Sequence, residues 1–296
     1  MGWADTNNKK LYEKKKLGIG NTPLIPDSEL GNQFGVTNLL VKDESKNLFG
    51  TFKDRRNVLV IDQALEQHVD KVAIITSGNA GYSLARLAEN TGIKVVCIVD
   101  EKINPSIKKS LKTYSDRVIE TDLHKKILPT EEVVKFARET SDEYVQDVTN
   151  NYHDAFLSIV TEIKKEVPDY LITPLGSGEA FVGLYKGLKK HRLKTILVGV
   201  GVHQLRDHEL ELRANPSIAD KLYTPFTPYR KKIVSILEEG HQYFHVSEEQ
   251  IIDAHRKVSP TYSCEPSSAA AFASLSRLDI SKDCRVIIVN SGRAIW

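Results

Sequence analysis

The sequence predicts an α/β protein with two open, twisted, mostly parallel sheets flanked by helices. Continuously apolar runs alternate with amphipathic stretches along nearly the whole chain of 296 residues. These runs lack the polar and apolar alternation of half-solvated strands, so both faces of each sheet should be covered by helices. There are more strand and helix units than one sheet usually needs, and the polar stretch "ETSDEYVQDVTNNY" marks a domain boundary near residue 145.

The elements follow from periodicity and from residues that begin or end helices. In the helix predicted at 52–67, Val58, Ile61 and Leu65 share one face. Gly92 is placed to close a helix, and Pro105 suits a first helical turn. We expect residues 203–245, with several prolines and aromatics, to be irregular. The strands are predicted at 37–43, 71–76, 94–100, 117–121, 169–174, 195–202 and 284–290, and the other helices at 79–92, 104–114, 130–140, 153–167, 179–190, 247–258 and 265–278.

Composition excludes several classes of function. The net charge is +2, from 41 basic and 39 acidic residues, which gives no reason to expect a nucleic-acid partner. No apolar run is long enough to span a membrane, and "MGWADTNNKKLYEKKK" has no signal-peptide core. The three cysteines, Cys97, Cys264 and Cys284, are expected to be buried, reduced thiols in a cytoplasmic protein. No cysteine or histidine spacing predicts a metal site.

The stretch "GTFKDRR" places a lysine where a helix begins. Thr51 and Asp54 are spaced like a capping box, which would put Lys53 in the first helical turn. The helix dipole and burial would both favour a neutral amine there, and imine formation with a carbonyl needs a neutral amine. An ordinary surface lysine would give the same pattern, so this stretch alone does not decide between a surface lysine and an amine that forms an imine.

Three further strand-to-helix turns lie where parallel sheets bind ligands, beyond the carboxyl ends of strands. In "TSGNAG" (76–81), hydroxyls and backbone N–H groups at a helix start would suit a carboxylate, although a tight turn capped by Ser77 is also possible. In "PLGSGEAFVG" (174–183), glycines let amides converge on a phosphate. The spacing is not GxGxxG, so a dinucleotide is a poor fit. In "VNSGR" (289–293), Ser291 ends the last strand.

Together these turns describe one ligand with an aldehyde, a phosphate, a ring nitrogen and a neighbouring amino-acid carboxylate, which is pyridoxal 5′-phosphate with its substrate. The sequence resembles the fold type II pyridoxal-phosphate enzymes, such as tryptophan synthase β chain, cysteine synthase, threonine synthase and serine/threonine dehydratase. The resemblance extends over nearly the whole chain and rests on motifs that occur in the family's order. These motifs are "GNTPL" (20–24), "GTFKDR", "TSGNAG", "NYHDAFLSIVTEI" (151–163), "GSGEA" (176–180), "EPSSAAAFASL" (265–275) and "NSGR".

The resemblance implies a role for each motif. Lys53 would form the Schiff base with the cofactor and then move protons on the substrate. Asn79 would bond the phenolic oxygen of the cofactor, and Ser291 would contact its pyridine nitrogen. A neutral hydroxyl would not force that nitrogen to be protonated, so the ring would be a mild electron sink. The substrate carboxylate would be bound by Thr76, Ser77, Gly78, Asn79 and Ala80, and the phosphate by Gly176, Ser177, Gly178, Glu179 and Ala180.

Glu179 departs from the family pattern. Relatives usually have a small or neutral residue at this place in the phosphate loop. A carboxylate beside a phosphate is repulsive, so we expect its side chain to point away and its backbone N–H to face the phosphate.

The resemblance also implies an architecture. We expect a large cofactor-binding domain from residues 1–35 and 146–296, and a small mobile domain from residues 36–145, with the cofactor in the cleft between them. By analogy, the protein would be a homodimer whose partner is a small amino-acid substrate.

The reaction stays open among related chemistries. "FKDR" is most similar to threonine synthases, which perform β- or γ-elimination and replacement, whereas "SGNAG" is closer to serine/threonine ammonia-lyases (dehydratases). Cysteine synthase-like β-replacement and a non-catalytic scaffold are further alternatives. A threonine synthase must bind the second phosphate of O-phosphohomoserine, for which Arg55, Arg206 and Arg230 are candidates. Residues 203–232 match no subfamily and would either set specificity or form a surface excursion or dimer contact.

Overall fold

The computed structural model describes residues 6–123, 128–206, 209–211, 217–223, 228–278, 281 and 284–294. The chain divides into two compact units. The first unit contains the described residues up to Ile19 and those from Asn47 to Tyr152. The second unit runs from Gly20 to Lys46 and from His153 to Ala294. No helix of the described chain is long and apolar enough to cross a membrane.

The first unit is built on a four-stranded parallel sheet. Its strands are β3 (Lys71–Ile75), β4 (Lys94–Asp100), β5 (Arg117–Thr121) and β6 (Gln146–Asp147), in the order β5-β4-β3-β6. Its helices are α1 (Thr6–Leu17), α3 (Lys53–Glu66), α4 (Asn79–Ala88), α5 (Pro105–Tyr114) and α6 (Thr130–Ala137). β4 is buried from Val95 to Val99, so hydrophobic burial is the main force that holds the sheet between its helices.

The second unit is built on a six-stranded sheet. Its strands are β1 (Leu24–Pro26), β2 (Asn38–Asp43), β7 (Tyr170–Pro174), β8 (Ile196–Gly201), β11 (Gln242–His245) and β12 (Arg285–Asn290), in the order β1-β2-β12-β7-β8-β11. Only β1 is antiparallel within this sheet. A separate hairpin joins β9 (Gln204–Arg206) and β10 (Glu209–Glu211). The helices are α2 (Ser28–Gln33), α7 (Leu157–Ile163), α8 (Glu179–His191), α9 (Arg230–Glu238), α10 (Glu248–Val258) and α11 (Pro266–Ala273).

The α/β class and the mostly parallel sheets are confirmed, but the division of the chain falls at different residues from those expected. Residues 36–46 lie in the second unit, because β2 pairs in parallel with β12. Residues up to Ile19 lie in the first unit, where the Tyr12 hydroxyl donates to the Asp62 carboxylate at 2.9 Å. The second boundary lies after Tyr152 rather than at 145.

Several predicted elements have different bounds. The helix expected at 153–167 is a 3-10 turn (His153–Phe156), then α7, then a second 3-10 turn (Lys164–Glu166). Val167 takes a φ of +45°, which is not helical, and Pro168 directly after it cannot continue a helix. The helix expected at 79–92 ends at Ala88, four residues before Gly92, and the one at 265–278 ends at Ala273. The expected irregular segment 203–245 contains β9, β10, α9 and β11.

Candidate active site

Lys53 is the first residue of α3, as the sequence indicated, but the cap differs from the expected one. The N-cap is Phe52, which makes no side-chain cap hydrogen bond. The Thr51 hydroxyl accepts from the Lys53 backbone N–H at 3.3 Å, and the Asp54 carboxylate accepts from the Phe49 N–H at 2.7 Å. The Lys53 side chain is half-buried, and its Nζ lies 5.3 Å from the Phe52 ring centre. Lys53 therefore stands at a helix start that hydrogen bonds of Thr51 and Asp54 join to the preceding turn.

The 76–81 turn lies between β3 and α4 in the same unit as Lys53. The Thr76 hydroxyl oxygen accepts from the N–H groups of Gly78 and Gly81, both at 3.0 Å. Thr76 rather than Ser77 therefore organises the turn, and its hydroxyl proton stays able to donate to a ligand. Gly78 takes a φ of 140° at the N-cap, a conformation that favours glycine. Asn79 opens α4 and is buried.

A side-chain hydrogen bond joins α3, the helix that begins with Lys53, to the 76–81 turn. The Asn57 amide in α3 donates to the Ala80 carbonyl in α4 at 2.8 Å. The neighbouring Gly81 cannot carry a side chain, because a Cβ there would lie 2.5 Å from Thr76 Cγ2. The first unit thus joins α3, which begins with Lys53, to the candidate carboxylate-binding turn.

The glycine-rich loop follows β7 in the second unit and leads into α8. Gly178 is the N-cap of α8, with a φ of +91°, and a Cβ there would lie 2.5 Å from Ile233 Cδ1. Glycine has no side chain to cap the helix, and the positive N-terminal end of α8 favours an anion. Gly176 and Ser177 are half-buried, and Ala180 is buried in the first helical turn.

Glu179 is buried at the first position of α8, where the helix dipole favours a negative charge. The Tyr229 hydroxyl donates to its carboxylate at 3.5 Å. The Tyr229 ring packs edge-on against His153, with ring centres 5.5 Å apart. The Lys186 ammonium lies 2.7 Å from His153 Nε2 and 2.8 Å from the Asp154 carboxylate. Burial, with Lys186 as the second cause, lowers the pKa of His153. Sequence reasoning assigned no role to either residue: Tyr229 belongs to none of the motifs, and His153 lies in "NYHDAFLSIVTEI", where the pattern did not single it out.

Ser291 directly follows β12, which lies between β2 and β7. The Ser291 hydroxyl oxygen lies 2.8 Å from the hydroxyl oxygen of Ser268 in α11. The Ser268 hydroxyl donates to Asn290 Oδ1 at 2.9 Å. Asn290 Nδ2 donates to Asp43 Oδ1 at 2.8 Å. Asp43 and Asn290 face each other as the last residues of β2 and β12. The sequence carried a signal for Asn290, a polar residue that ends the apolar run of β12, but none for Asp43, which follows Lys42.

The structure therefore places the predicted residues in two groups. Lys53 and the 76–80 turn share the first unit, and the 176–180 loop and Ser291 share the second. The loop follows β7 and Ser291 follows β12. Because β7 and β12 are parallel neighbours, both lie at the carboxyl ends of the strands of this sheet. Of the expected second-phosphate arginines, Arg55 is buried in α3 and Arg230 is exposed at the start of α9.

Parts of the 203–232 segment, and the Arg206 side chain with them, lie outside the described residues. The cysteines differ from expectation at one position, since Cys97 and Cys264 are buried but Cys284 is only half-buried.

These residues fit pyridoxal phosphate. The uncapped start of α8 behind Gly178 suits a phosphate dianion. The hydroxyl of Ser291 is a hydrogen-bonding group of the kind that a pyridine nitrogen requires. The half-buried Lys53 offers a primary amine to an aldehyde.

Comparisons with known proteins agree with this fit. Residues 15–292 match the family model described as pyridoxal-phosphate dependent enzyme. Maize serine racemase has a similar structure, with a TM-score of 0.77 and 19% identity, over 98% of this chain and 93% of that one. An O-acetylserine-dependent cystathionine β-synthase from Helicobacter pylori gives 0.78 and 20%, over 95% of each chain. The processed form of threonine deaminase isoform 2 from Solanum lycopersicum gives 0.75 and 17%, over 98% and 91%. The family match covers almost the whole sequence, and the chain therefore belongs to the pyridoxal-phosphate-dependent enzymes of fold type II.

Proposed function

We propose that this protein catalyses β- or γ-elimination or replacement on a small amino acid, in the manner of a threonine synthase. The observation that carries the proposal is the hydrogen bond from Asn57 to the Ala80 carbonyl at 2.8 Å. It joins the helix that begins with Lys53 to the turn proposed to bind the substrate carboxylate. An α-amino acid held by its carboxylate at that turn would present its Cα to a nearby base.

Residues of the first unit would bind the substrate, orient the cofactor and transfer protons. Thr76, Ser77 and the N–H groups at the start of α4 would donate to the substrate carboxylate. Asn79 would orient the cofactor ring from the same turn. Lys53 would bind the cofactor aldehyde and, once released, take the proton from the substrate Cα and return protons further along the side chain. Bound pyridoxal phosphate supplies the electron sink for the charge left at Cα.

In the second unit, residues 176–180 would hold the cofactor phosphate through backbone N–H groups, and Ser291 would contact the ring nitrogen. Glu179 sits in this loop with its carboxylate against Tyr229. Since a carboxylate and a phosphate compete for the same helix end, Glu179→Gln is expected to tighten cofactor binding by roughly tenfold, or about 1.4 kcal/mol. Binding of pyridoxal, which lacks the phosphate, should change little and serves as the control.

The first experiment measures the absorption spectrum of the protein with pyridoxal phosphate, then treats it with borohydride and locates the modified residue. We expect the label on Lys53, and we expect Lys53→Ala to lose it while its unfolding curve stays that of the parent. Lys102→Ala, at an exposed lysine of the same unit, is the matched control. A cofactor fixed to another lysine, or full turnover in Lys53→Ala, would overturn the assignment.

The second experiment separates the candidate reactions by their products. Release of inorganic phosphate from O-phosphohomoserine with formation of threonine supports the threonine synthase assignment. A second candidate, a serine/threonine ammonia-lyase, is favoured by "SGNAG" in the carboxylate turn and would release a keto acid and ammonia. Keto acid from serine or threonine without phosphate chemistry would replace the first candidate with the second.

A further inference from the structure

Arg56 and Asn57 lie side by side in α3, and both side chains are buried, with exposures of 1% and 0%. A guanidinium and an amide are seldom buried so fully, and each then needs hydrogen-bond partners inside the protein. Arg56 Nη1 donates to Asn57 Oδ1 at 2.8 Å, and Arg56 Nη2 donates to the Val148 carbonyl. The guanidinium also lies 5.0 Å from the centre of the Tyr152 ring. Arg56 therefore joins α3 to the segment 148–152.

The orientation of the Asn57 amide is determined by its two neighbours. A guanidinium can only donate, so Asn57 Oδ1 must face Arg56. A carbonyl oxygen can only accept, so Asn57 Nδ2 must face Ala80, to whose carbonyl it donates at 2.8 Å. A rotated amide would place donor against donor and acceptor against acceptor. Arg56 thus holds the Asn57 amide in the orientation that bonds the first turn of α4.

The side of α3 that carries Asn57 also carries Lys53. Lys53 is four residues before Asn57, and residues four positions apart lie on the same face of a helix. The face of α3 that meets the start of α4 therefore presents the lysine one helical turn nearer to its own N-terminus. The bond from Asn57 to Ala80 sets how the lysine backbone stands relative to the 76–81 turn.

We propose that Arg56 and Asn57 are positioning residues, which hold the 76–81 turn where a bound amino acid has its Cα within reach of Lys53. The inference rests on the proposed function, which assigns the substrate carboxylate to that turn. The donors proposed for the carboxylate lie in this turn and in the first turn of α4, together with the Ala80 carbonyl. Without the bond to Asn57, these donors would shift relative to α3. A misplacement of about 1 Å is enough to cost roughly 100-fold in rate.

Asn57→Asp removes this bond and keeps the rest of the arrangement. The new carboxylate has the size of the amide and still accepts from Arg56, whose positive charge keeps it ionised. Its second oxygen would face the Ala80 carbonyl, and two acceptors repel each other. The variant therefore keeps a buried pair with Arg56 while it breaks the contact between α3 and the turn.

The experiment titrates the protein with bound pyridoxal phosphate and follows the absorption spectrum of the cofactor. L-serine, L-threonine and O-phosphohomoserine are each compared with the amine that lacks the carboxylate, which is ethanolamine in the case of L-serine. In Asn57→Asp, the dissociation constant of the amino acid that binds the parent protein should rise about tenfold, the size expected for one hydrogen bond. The dissociation constant of the matching amine should stay at its parent value, because the amine has no carboxylate for the turn to bind.

The contribution of Arg56 is measured with Arg56→Met, Asn57→Leu and the double variant. If Arg56 acts through Asn57, the double variant binds the amino acid no more weakly than Asn57→Leu alone. Arg56→Lys, which keeps the charge but not the two-pronged donor, takes the place of Arg56→Met if that variant does not fold.

Arg117→Met is the matched control. Arg117 is a half-buried arginine of the same unit, and its guanidinium donates to the Phe136 carbonyl as that of Arg56 donates to the Val148 carbonyl. The Arg117→Met protein should bind the amino acid and the amine as the parent protein does.

The outcomes separate the inference from the proposed function. If the parent protein binds an amino acid and Asn57→Asp binds it equally well, the inference is wrong and the proposed function stands. Equal weakening of the amino acid and the amine would also overturn the inference, because a merely structural role affects both probes alike. Additive effects of Arg56→Met and Asn57→Leu would refute the role of Arg56. A protein that binds the cofactor but none of the three amino acids would overturn the proposed function itself.

Discussion

At Gly178, in the candidate phosphate loop 176–180, the structure allows the destabilisation caused by one added methyl group to be worked out. Its φ of +91° lies in the left-handed region, which costs an L-residue about 1–2 kcal/mol. The added Cβ of Gly178→Ala would lie 2.5 Å from Ile233 Cδ1 and 3.3 Å from Tyr229 Cβ. Overpacking of this kind typically costs about 1–3 kcal/mol. Together the two terms predict a loss of about 2–5 kcal/mol in the free energy of unfolding.

The same unit provides a control that isolates the backbone term. Gly240 has a φ of +95°, and a Cβ there would meet no atom within 4 Å. Gly240→Ala should therefore lose only about 1–2 kcal/mol. Ile233→Val removes the Cδ1 atom that causes the closest contact, so adding it to Gly178→Ala should recover part of the packing term.

The assay is urea unfolding of the cofactor-free proteins, since ligand binding would otherwise contribute to the measured stability. The quantity of interest is the difference between the two alanine variants, which isolates the packing term at Gly178. If Gly178→Ala were no more destabilising than Gly240→Ala, the close approach of α9 to the loop would be refuted. Lack of any recovery on adding Ile233→Val would refute the assignment of the clash to Cδ1.

Three further outcomes follow from buried or charged groups. Lys186→Met should raise the pKa of His153 in an NMR titration, because it removes the nearest ammonium. The lowered pKa of His153 costs the parent protein stability as the pH falls below about 6.5, and this loss of stability should be smaller in the variant. Glu162→Leu removes the carboxylate 2.5 Å from the buried Lys42 ammonium and should cost about 3–5 kcal/mol in urea unfolding, most of which Lys42→Met/Glu162→Leu should restore. Cys284 alone should react with a thiol reagent in the native protein, and a second reactive thiol before unfolding would contradict the burial of the others.

The buried parallel strands were predictable because each carries a long apolar signal. β4, "KVVCIVD", is buried over its whole centre and was predicted with the bounds that the structure shows. β11 was missed because it is an edge strand, "QYFH", whose residues are all half-buried and carry no apolar run. α9 was missed because the prolines at 225 and 228 made the surrounding segment look irregular.

The turns of the candidate site were predictable in position but not in their internal bonding. Lys53, Gly178 and Ser291 stand at helix or strand ends, where glycine and hydroxyl residues give a local signal. Which hydroxyl organises a turn depends on geometry, and the structure assigns that role to Thr76 where the sequence suggested Ser77. For the same reason, the N-cap of α3 is Phe52 and not Thr51, which the sequence suggested.

The stretch "VKDES" shows what local patterns cannot reveal. Lys42, Asp43 and Glu44 are consecutive charged residues, and such a run is usually solvated, yet each is at most 1% exposed. Burial of three charges is tolerable only if each has partners. Lys42 bonds Glu162 at 2.5 Å, 120 residues away in the chain, and Glu44 accepts from Thr22 at 2.6 Å. Asp43 instead accepts from Asn290, 247 residues away. A fold that served only stability would gain from apolar residues at these positions. The partners of Lys42 and Asp43 lie in α7 and β12, far away in the chain, so these charges fix which segments pack together rather than add stability.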